Sequence, residues 1–332
     1  MQESSYNFQP LKGYENFEAT TQIMIAEILA RKLPFEIIDS ENNLLAVTWN
    51  NREYIIHEGT ISDGNSLISF WISNDKWMTK QFLKRKGVNF AKAIILGRDE
   101  QLNSTSLPTY PLVVKPVDTD HGIGVSTSIN NEDQLKVALE RAFKYSKKAI
   151  VEEFFPGREF RFLVIEGVVR AITYREPANI VGDGVSTVEE LIDKKNVGRG
   201  DDYKFPLLKI KVDDEVTRHL VAQSLTIKTV VANGEKIYLR KNSNLSTGGD
   251  SIDVTDSMPV YYKEVAEKAA AAAGLRIAGV DIIISDLDEE PSPTNYIVVE
   301  LNAPAMLSMH NYPYIGKNRH VEKYVLDCIL NS

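Results

Sequence analysis

The chain has 332 residues, longer than one ordinary domain, and its 43% apolar and 25% charged content excludes a mostly disordered protein. A net charge of −8 argues against a broad footprint for nucleic acid but leaves room for a local basic cleft, and one cysteine, Cys328, excludes an intramolecular disulfide framework. No apolar run reaches the roughly 18 residues of a membrane span, and the polar residues 1–10 carry no secretory pattern, so an acidic cytoplasmic protein is expected.

The expected elements begin with a helix over residues 17–33, where Ile23, Ile25, Ala26, Ile28, Leu29 and Leu33 recur at helical spacing before Pro34 stops it. Short strands follow at 35–38, 44–48 and 53–57. A helix over 76–86 ends at Gly87, and its lysines Lys76, Lys80, Lys84 and Lys86 read mostly as a solvated basic face. A strand at 112–116 leads into a glycine-containing loop, then a helix over 131–147 with acidic residues near its start. Residues 149–153 form a buried strand, and 159–165 with 168–174 a hairpin. Thr187 and Glu190 fit a capping box opening a helix over 187–194. An alanine-rich helix over 259–273 stops at Gly274. Strands at 280–285 and 296–301 and a helix over 321–330 close an α/β chain.

Several chemistries are excluded. There is no GxxxxGK[ST] phosphate loop, no GxSxG and no HExxH. The five histidines lack zinc spacing, and Cys328 sits among Val325, Leu326, Ile329 and Leu330, as a structural thiol does.

The informative residues are carboxylates and cations. Glu300 and Asn302 lie two apart on one strand and share a face. An antiparallel pairing across the intervening loop places Asp281 roughly opposite Glu300. Opposed carboxylates repel, so the set calls for a cation, and hard oxygen donors suit Mg²⁺. Polar residues facing water are the alternative for any one of these acids, and a weaker one for three that converge. Lys115 ends an apolar strand just before the loop His121–Gly122–Ile123–Gly124–Val125–Ser126, whose glycines would let N–H groups approach phosphate. A GxG alone is more often a plain turn. The stretch from Glu152 to Glu159 follows a buried strand and could grip a flat base and a ribose, and Arg240 beside the 247–250 turn could neutralise a phosphoryl group. Arg161, Arg175 and Arg199 are candidates for substrate carboxylates, with surface ion pairs as the alternative.

Taken in order, Asp75–Lys76, Val114–Lys115–Pro116, HGIGVS (121–126), EEFFPGREFR (152–161), Asp281 and ELNAP (300–304) resemble the ATP-grasp superfamily of carboxylate–amine ligases. REPANIVGDG (175–184) and YLRKNSNLSTGGDSIDVTD (238–256) are similar to the glutathione-synthetase-type module of bifunctional γ-glutamate–cysteine ligase/glutathione synthetases, and to cyanophycin synthetases. The resemblance implies an ATP-grasp fold of α+β lobes: a short N-terminal α/β unit (1–75) and two lobes (76–155 and 156–332) clasping ATP.

It implies ATP contacts from Lys76, Lys115, His121, Gly122, Gly124, Val125, Ser126, Glu153, Phe154, Phe155 and Glu159. It also implies two Mg²⁺ ions, replaceable by Mn²⁺, on Asp281, Glu300 and Asn302. Arg240, Lys115 and Asn244 would be catalytic, and Arg161, Arg175, Asn179, Arg199, Gly248, Gly249 and His310 would lie toward the substrates. The implied activity is ADP-forming amide synthesis through an acyl phosphate on small carboxylate and amine substrates. Addition to a polymer or peptide and a regulatory ATP-binding module without turnover stand as alternatives. Nucleic acid and membrane are not expected partners, and a homodimer is the commonest assembly.

Overall fold

The computed structural model describes residues 4–100, 106–119 and 122–332; His121, expected in the phosphate loop, lies outside the described residues. By packing, the chain forms two units assembled from separated stretches: 65–169 with 259–303, and 1–64 with 170–258 and 304–332. This is a different division from the three contiguous lengths read along the sequence.

The unit of 65–169 and 259–303 carries an antiparallel sheet in the order Ala93–Gly97, Lys148–Glu153, Leu112–Pro116, Ser126–Ile129. Helix Glu132–Ala142 covers it. Asn131 caps the helix by accepting from the Gln134 N–H at 3.0 Å, and Glu132 and Asp133 suit the positive end of its dipole. Leu135, Ala138 and Ala142 pack on Leu112, Val114 and Val151. The helix ends earlier than expected, because tight turns after Ala142 return the chain into strand Lys148–Glu153.

Three further strands of this unit, Arg158–Ile165, Ile277–Ile284 and Tyr296–Asn302, pair antiparallel with Ile277–Ile284 in the middle. Helix Val260–Ala273 packs against them through buried alanines, and Gly274 ends it in the left-handed region, as expected. Helix Lys76–Arg85 begins where Asp75 accepts from the Met78 N–H at 2.8 Å. An additional helix, Leu67–Asn74, is capped by Ser66. Its Leu67, Ile68 and Trp71 are exposed, so its sequence shows no inward stripe.

In the unit of 1–64, 170–258 and 304–332, the buried helix Ala19–Ala30 packs on helix Glu322–Leu330. Strands Phe35–Asp39, Leu44–Trp49 and Arg52–His57 form a meander. Strand Asp250–Asp253 pairs with residues 173–176, and Asn179–Val181 pairs with Lys236–Tyr238. Helices Val188–Asn196 and Asp214–Ala222 enclose a core of Ile180, Val188, Val216, Leu220 and Leu239. The Thr187–Glu190 capping box forms as its sequence implies. Among the described residues no helix is long and apolar enough to cross a membrane.

Candidate functional site

Strand alternation does bring the expected carboxylates together. Asp281 pairs with Glu300 on one side and with Arg161 on the other, so Arg161, Asp281 and Glu300 form one row across three strands. Asp281 is fully buried. Arg161, a candidate for substrate carboxylates, holds it with two groups: Nε donates to Oδ1, and Nη2 donates to Oδ2 at 2.9 Å. Asn302 Nδ2 reaches Asp281 Oδ2 and the Gly279 carbonyl, each at 3.4 Å, which turns the Asn302 amide toward the same face.

Burial pushes the Glu300 carboxyl above its usual range, and the Asp281 charge adds to this; Lys76, Arg161 and Lys115 pull the other way. A carboxylate pair under such pressure gains from a divalent cation. Carboxylate oxygens of Asp281 and Glu300 with Asn302 Oδ1 are the hard donors that Mg²⁺ takes. Among the described residues no three His, Cys, Asp or Glu side chains gather as a metal group.

The lysines differ from their sequence reading. Lys115 and Glu152 project from neighbouring strands, Leu112–Pro116 and Lys148–Glu153, with Lys115 Nζ 2.8 Å from Glu152 Oε1. Lys80, read as part of a solvated face, is only 1% exposed, and its Nζ lies 2.8 Å from Glu152 Oε2. The correction has a simple cause: a partner from a distant strand makes burial of that ammonium tolerable. Burial alone would raise the Glu152 carboxyl, but the Lys115 and Lys80 ammoniums override it and hold it down at about 2. Glu152 was named only as part of its stretch, and nothing local marked it as the partner of two lysines.

Lys76 is half-buried, and its ammonium donates to the Thr119 carbonyl, just before the glycine-containing loop expected to meet phosphate. Gly124 in that loop has φ +75°, and a Cβ there would stand 2.8 Å from Pro116 Cγ, so only glycine fits. Gly122 and Val125 belong to the same turn, closed by the Val125 N–H on the Gly122 carbonyl at 3.2 Å, and Ser126 opens the strand that follows. The linker from Glu153 onward is tied by the Phe154 N–H to the Pro111 carbonyl at 2.8 Å. It leaves Phe154 exposed, with Glu153, Phe155 and Glu159 partly so.

The other candidates lie in the second unit, and two of them, Asn179 and Arg199, meet at Asp250, which is 1% exposed. Lys195 Nζ lies 2.6 Å from its Oδ2, Asn179 Nδ2 donates to Oδ2 at 3.0 Å, and Arg199 Nη2 donates to Oδ1. Arg199 Nη1 donates to the Gly248 carbonyl at 3.0 Å, so this arginine holds the 244–249 turn. Gly248 and Gly249, expected toward the substrates, are buried. Gly248 has φ +95°, and a Cβ would meet Ile210 Cγ1 at 2.5 Å. A Gly248→Ala variant is therefore expected to unfold about 1–3 kcal/mol more easily in urea, from strain and overpacking together.

Asn244 begins this turn, its carbonyl accepting the Thr247 and Gly249 N–H groups. Arg240 is buried and pairs with Glu215 at 2.7 Å and with Asp213, both at the start of helix Asp214–Ala222. Arg175 lies opposite Ser251 in the strand pair. His310 is buried, with Nδ1 2.9 Å from Thr173 Oγ1.

The fold is the ATP-grasp fold. Residues 82–231 match the family model described as the C-terminus of D-Ala D-Ala ligase. The chain is 39% identical to the glutathione biosynthesis bifunctional protein of Clostridium perfringens, over 97% of this chain and 42% of that protein. It is 37% identical to that of Desulfotalea psychrophila, over 96% and 42%. Among solved structures, a bifunctional glutathione synthetase from Pasteurella multocida matches with a TM-score of 0.75 at 33% identity, covering 96% of this chain and 44% of that one. D-alanine–D-alanine ligase from Bacillus anthracis shares the fold alone, with a TM-score of 0.50 at 15% identity over 80% of this chain and 70% of that one. The chain thus spans less than half the length of its bifunctional relatives.

Proposed function

We propose that the chain is an ATP-dependent carboxylate–amine ligase, ADP-forming and glutathione-synthetase-like in its small-molecule substrates. The observation that carries this reading is the row Arg161–Asp281–Glu300, with Asn302 beside it, in the same unit as Lys76, Lys115 and the Gly122–Ser126 turn. Lys76 and Lys115 neutralise nucleotide phosphates, and backbone N–H groups of 122–126 approach them. Glu153, Phe154 and Phe155 take the adenine, and Glu159 takes the ribose.

Asp281, Glu300 and Asn302 hold Mg²⁺, which when bound supplies charge neutralisation to the phosphates. A substrate carboxylate oxygen bonds to the γ-phosphorus as the bond to ADP breaks. The amine then bonds to the acyl carbon, loses a proton, and phosphate leaves with the former carboxylate oxygen. Arg240 and Asn244 keep the role the resemblance implies, at the acyl phosphate. No nucleophilic side chain is consumed in this sequence, in keeping with a single buried cysteine.

The test is ADP release with paired carboxylates and amines, γ-glutamylcysteine with glycine among them, read with product mass. ADP formation that requires both substrates, with one product mass, is expected. ADP formation independent of any carboxylate overturns the reading, and a ladder of masses moves it to polymer synthesis.

A further inference from the structure

Lys80 is a buried ammonium that the proposed reaction does not use. It stands one helical turn beyond Lys76 on the same face, yet it is 1% exposed while Lys76 is half-buried. A lysine buried to this degree is costly unless paired. Its partner is the carboxylate that also holds Lys115: Glu152 gives Oε2 to Lys80 and Oε1 to Lys115, each at 2.8 Å. The Phe90 ring, 5.2 Å from the Lys80 ammonium, helps keep that side chain in place.

Sharing has a consequence for Lys115. An ammonium has three donors and Glu152 two oxygens. Alone with Glu152, Lys115 would form a closed neutral pair. With Oε2 ion-paired to Lys80 at 2.8 Å, Lys115 engages the other oxygen and keeps net charge for another anion. The charge count of the face agrees. Counted at formal charge, Lys76, Lys80, Lys115 and Arg161 face Glu152, Asp281 and Glu300, an excess of one positive charge that removing Lys80 cancels.

We propose that Lys80 is a positioning residue for the nucleotide: by sharing Glu152 it leaves Lys115 cationic and aimed at phosphate. The proposal rests on the ATP reading above. ATP affinity is measured by calorimetry for the wild type, Lys80→Met, and Lys80→Met/Glu152→Gln, with urea unfolding of each. The single variant is expected to bind ATP about tenfold more weakly, the worth of one charge-assisted hydrogen bond. Its KM values for the carboxylate and amine are expected to stay put.

The double variant removes one charge of each sign and is expected to recover affinity to within about threefold of wild type. A purely structural lysine would not show that recovery. Lys80→Met binding ATP as the wild type does, or a double variant as weak as the single one, overturns the proposal. If the single variant does not fold, the double variant decides alone: recovery to the wild-type range supports the proposal, and a loss of about tenfold or more overturns it. Failure of the ATP reading itself is distinguishable, because the wild type would then bind no nucleotide.

Discussion

A Glu300→Gln variant is expected to lose at least about 100-fold in ADP formation, in the range of lost electrostatic stabilisation at a transferring phosphoryl group, while keeping or gaining stability. The two directions come from one geometry. Burial and the opposed Asp281 both disfavour the Glu300 anion, so an uncharged side chain of the same shape relieves the fold when no cation is bound. The same change removes the anion that would share a divalent cation with Asp281. Asp281→Asn should behave differently although it also removes one charge. Arg161 holds Asp281 through two donors and is itself buried, so it would be left as an uncompensated guanidinium, at a cost of about 3–5 kcal/mol. Urea unfolding without metal and an ADP assay across a Mg²⁺ series separate the two variants. Full turnover by Glu300→Gln at ordinary Mg²⁺ would remove Glu300 from the metal assignment, and equal stability losses would show that Arg161 does not single out Asp281.

This part of the site was legible because it depends on local rules. Alternation along a strand puts Glu300 and Asn302 on one face, and a hairpin-like return sets Asp281 against Glu300. Caps at Asp75, Asn131 and Thr187 and the stop at Gly274 are equally local. What was not legible depends on partners far along the chain. Lys80 belongs to a run of lysines that looks like a wet helix face, and only strand Lys148–Glu153 makes it otherwise.

Helix Asp214–Ala222 did leave a signal that was passed over: Asp213 as its cap, then Val216 and Leu220 four apart and buried. Strands Asn179–Val181 and Lys236–Tyr238 are too short for alternation to show. Their presence follows from the core they close, around Ile180, Ile237 and Leu239. Asp250 shows along the sequence only as the last residue of the 247–250 turn, because its cationic partners Lys195 and Arg199 come from a helix and a loop 55 and 51 residues earlier.

Asp250→Ala is expected to destabilise the second unit strongly. Two cations depend on that carboxylate. Arg199 cannot shed its proton, so without Asp250 it remains a buried charge whose partners among the described residues include the carbonyls of Leu208, Gly248 and Gly249 and the Tyr314 ring 5.1 Å away, none of them an anion. Lys195 has an escape that arginine lacks. Burial already pushes its ammonium below the usual lysine range against the pull of Asp250, so losing Asp250 drives it further toward the neutral amine.

The arginine therefore sets the cost, about 3–5 kcal/mol for a broken buried pair, which is a large share of the ~5–15 kcal/mol that holds a typical domain. Lys195→Met removes the lysine but leaves Asp250 with Arg199 and Asn179, and should cost no more than about half as much. Functionally, the same loss reaches the turn that follows Arg240 and Asn244, because Arg199 is what holds the Gly248 carbonyl. Hydrogen exchange at the Gly248 and Gly249 amides should accelerate in Asp250→Asn under conditions where the variant stays folded, and remain slow in Lys195→Met. An Asp250→Ala protein that unfolds at the wild-type urea concentration, or an Asp250→Asn protein whose turn exchanges at the wild-type rate, would show that the Arg199–Asp250 pair does not hold this turn.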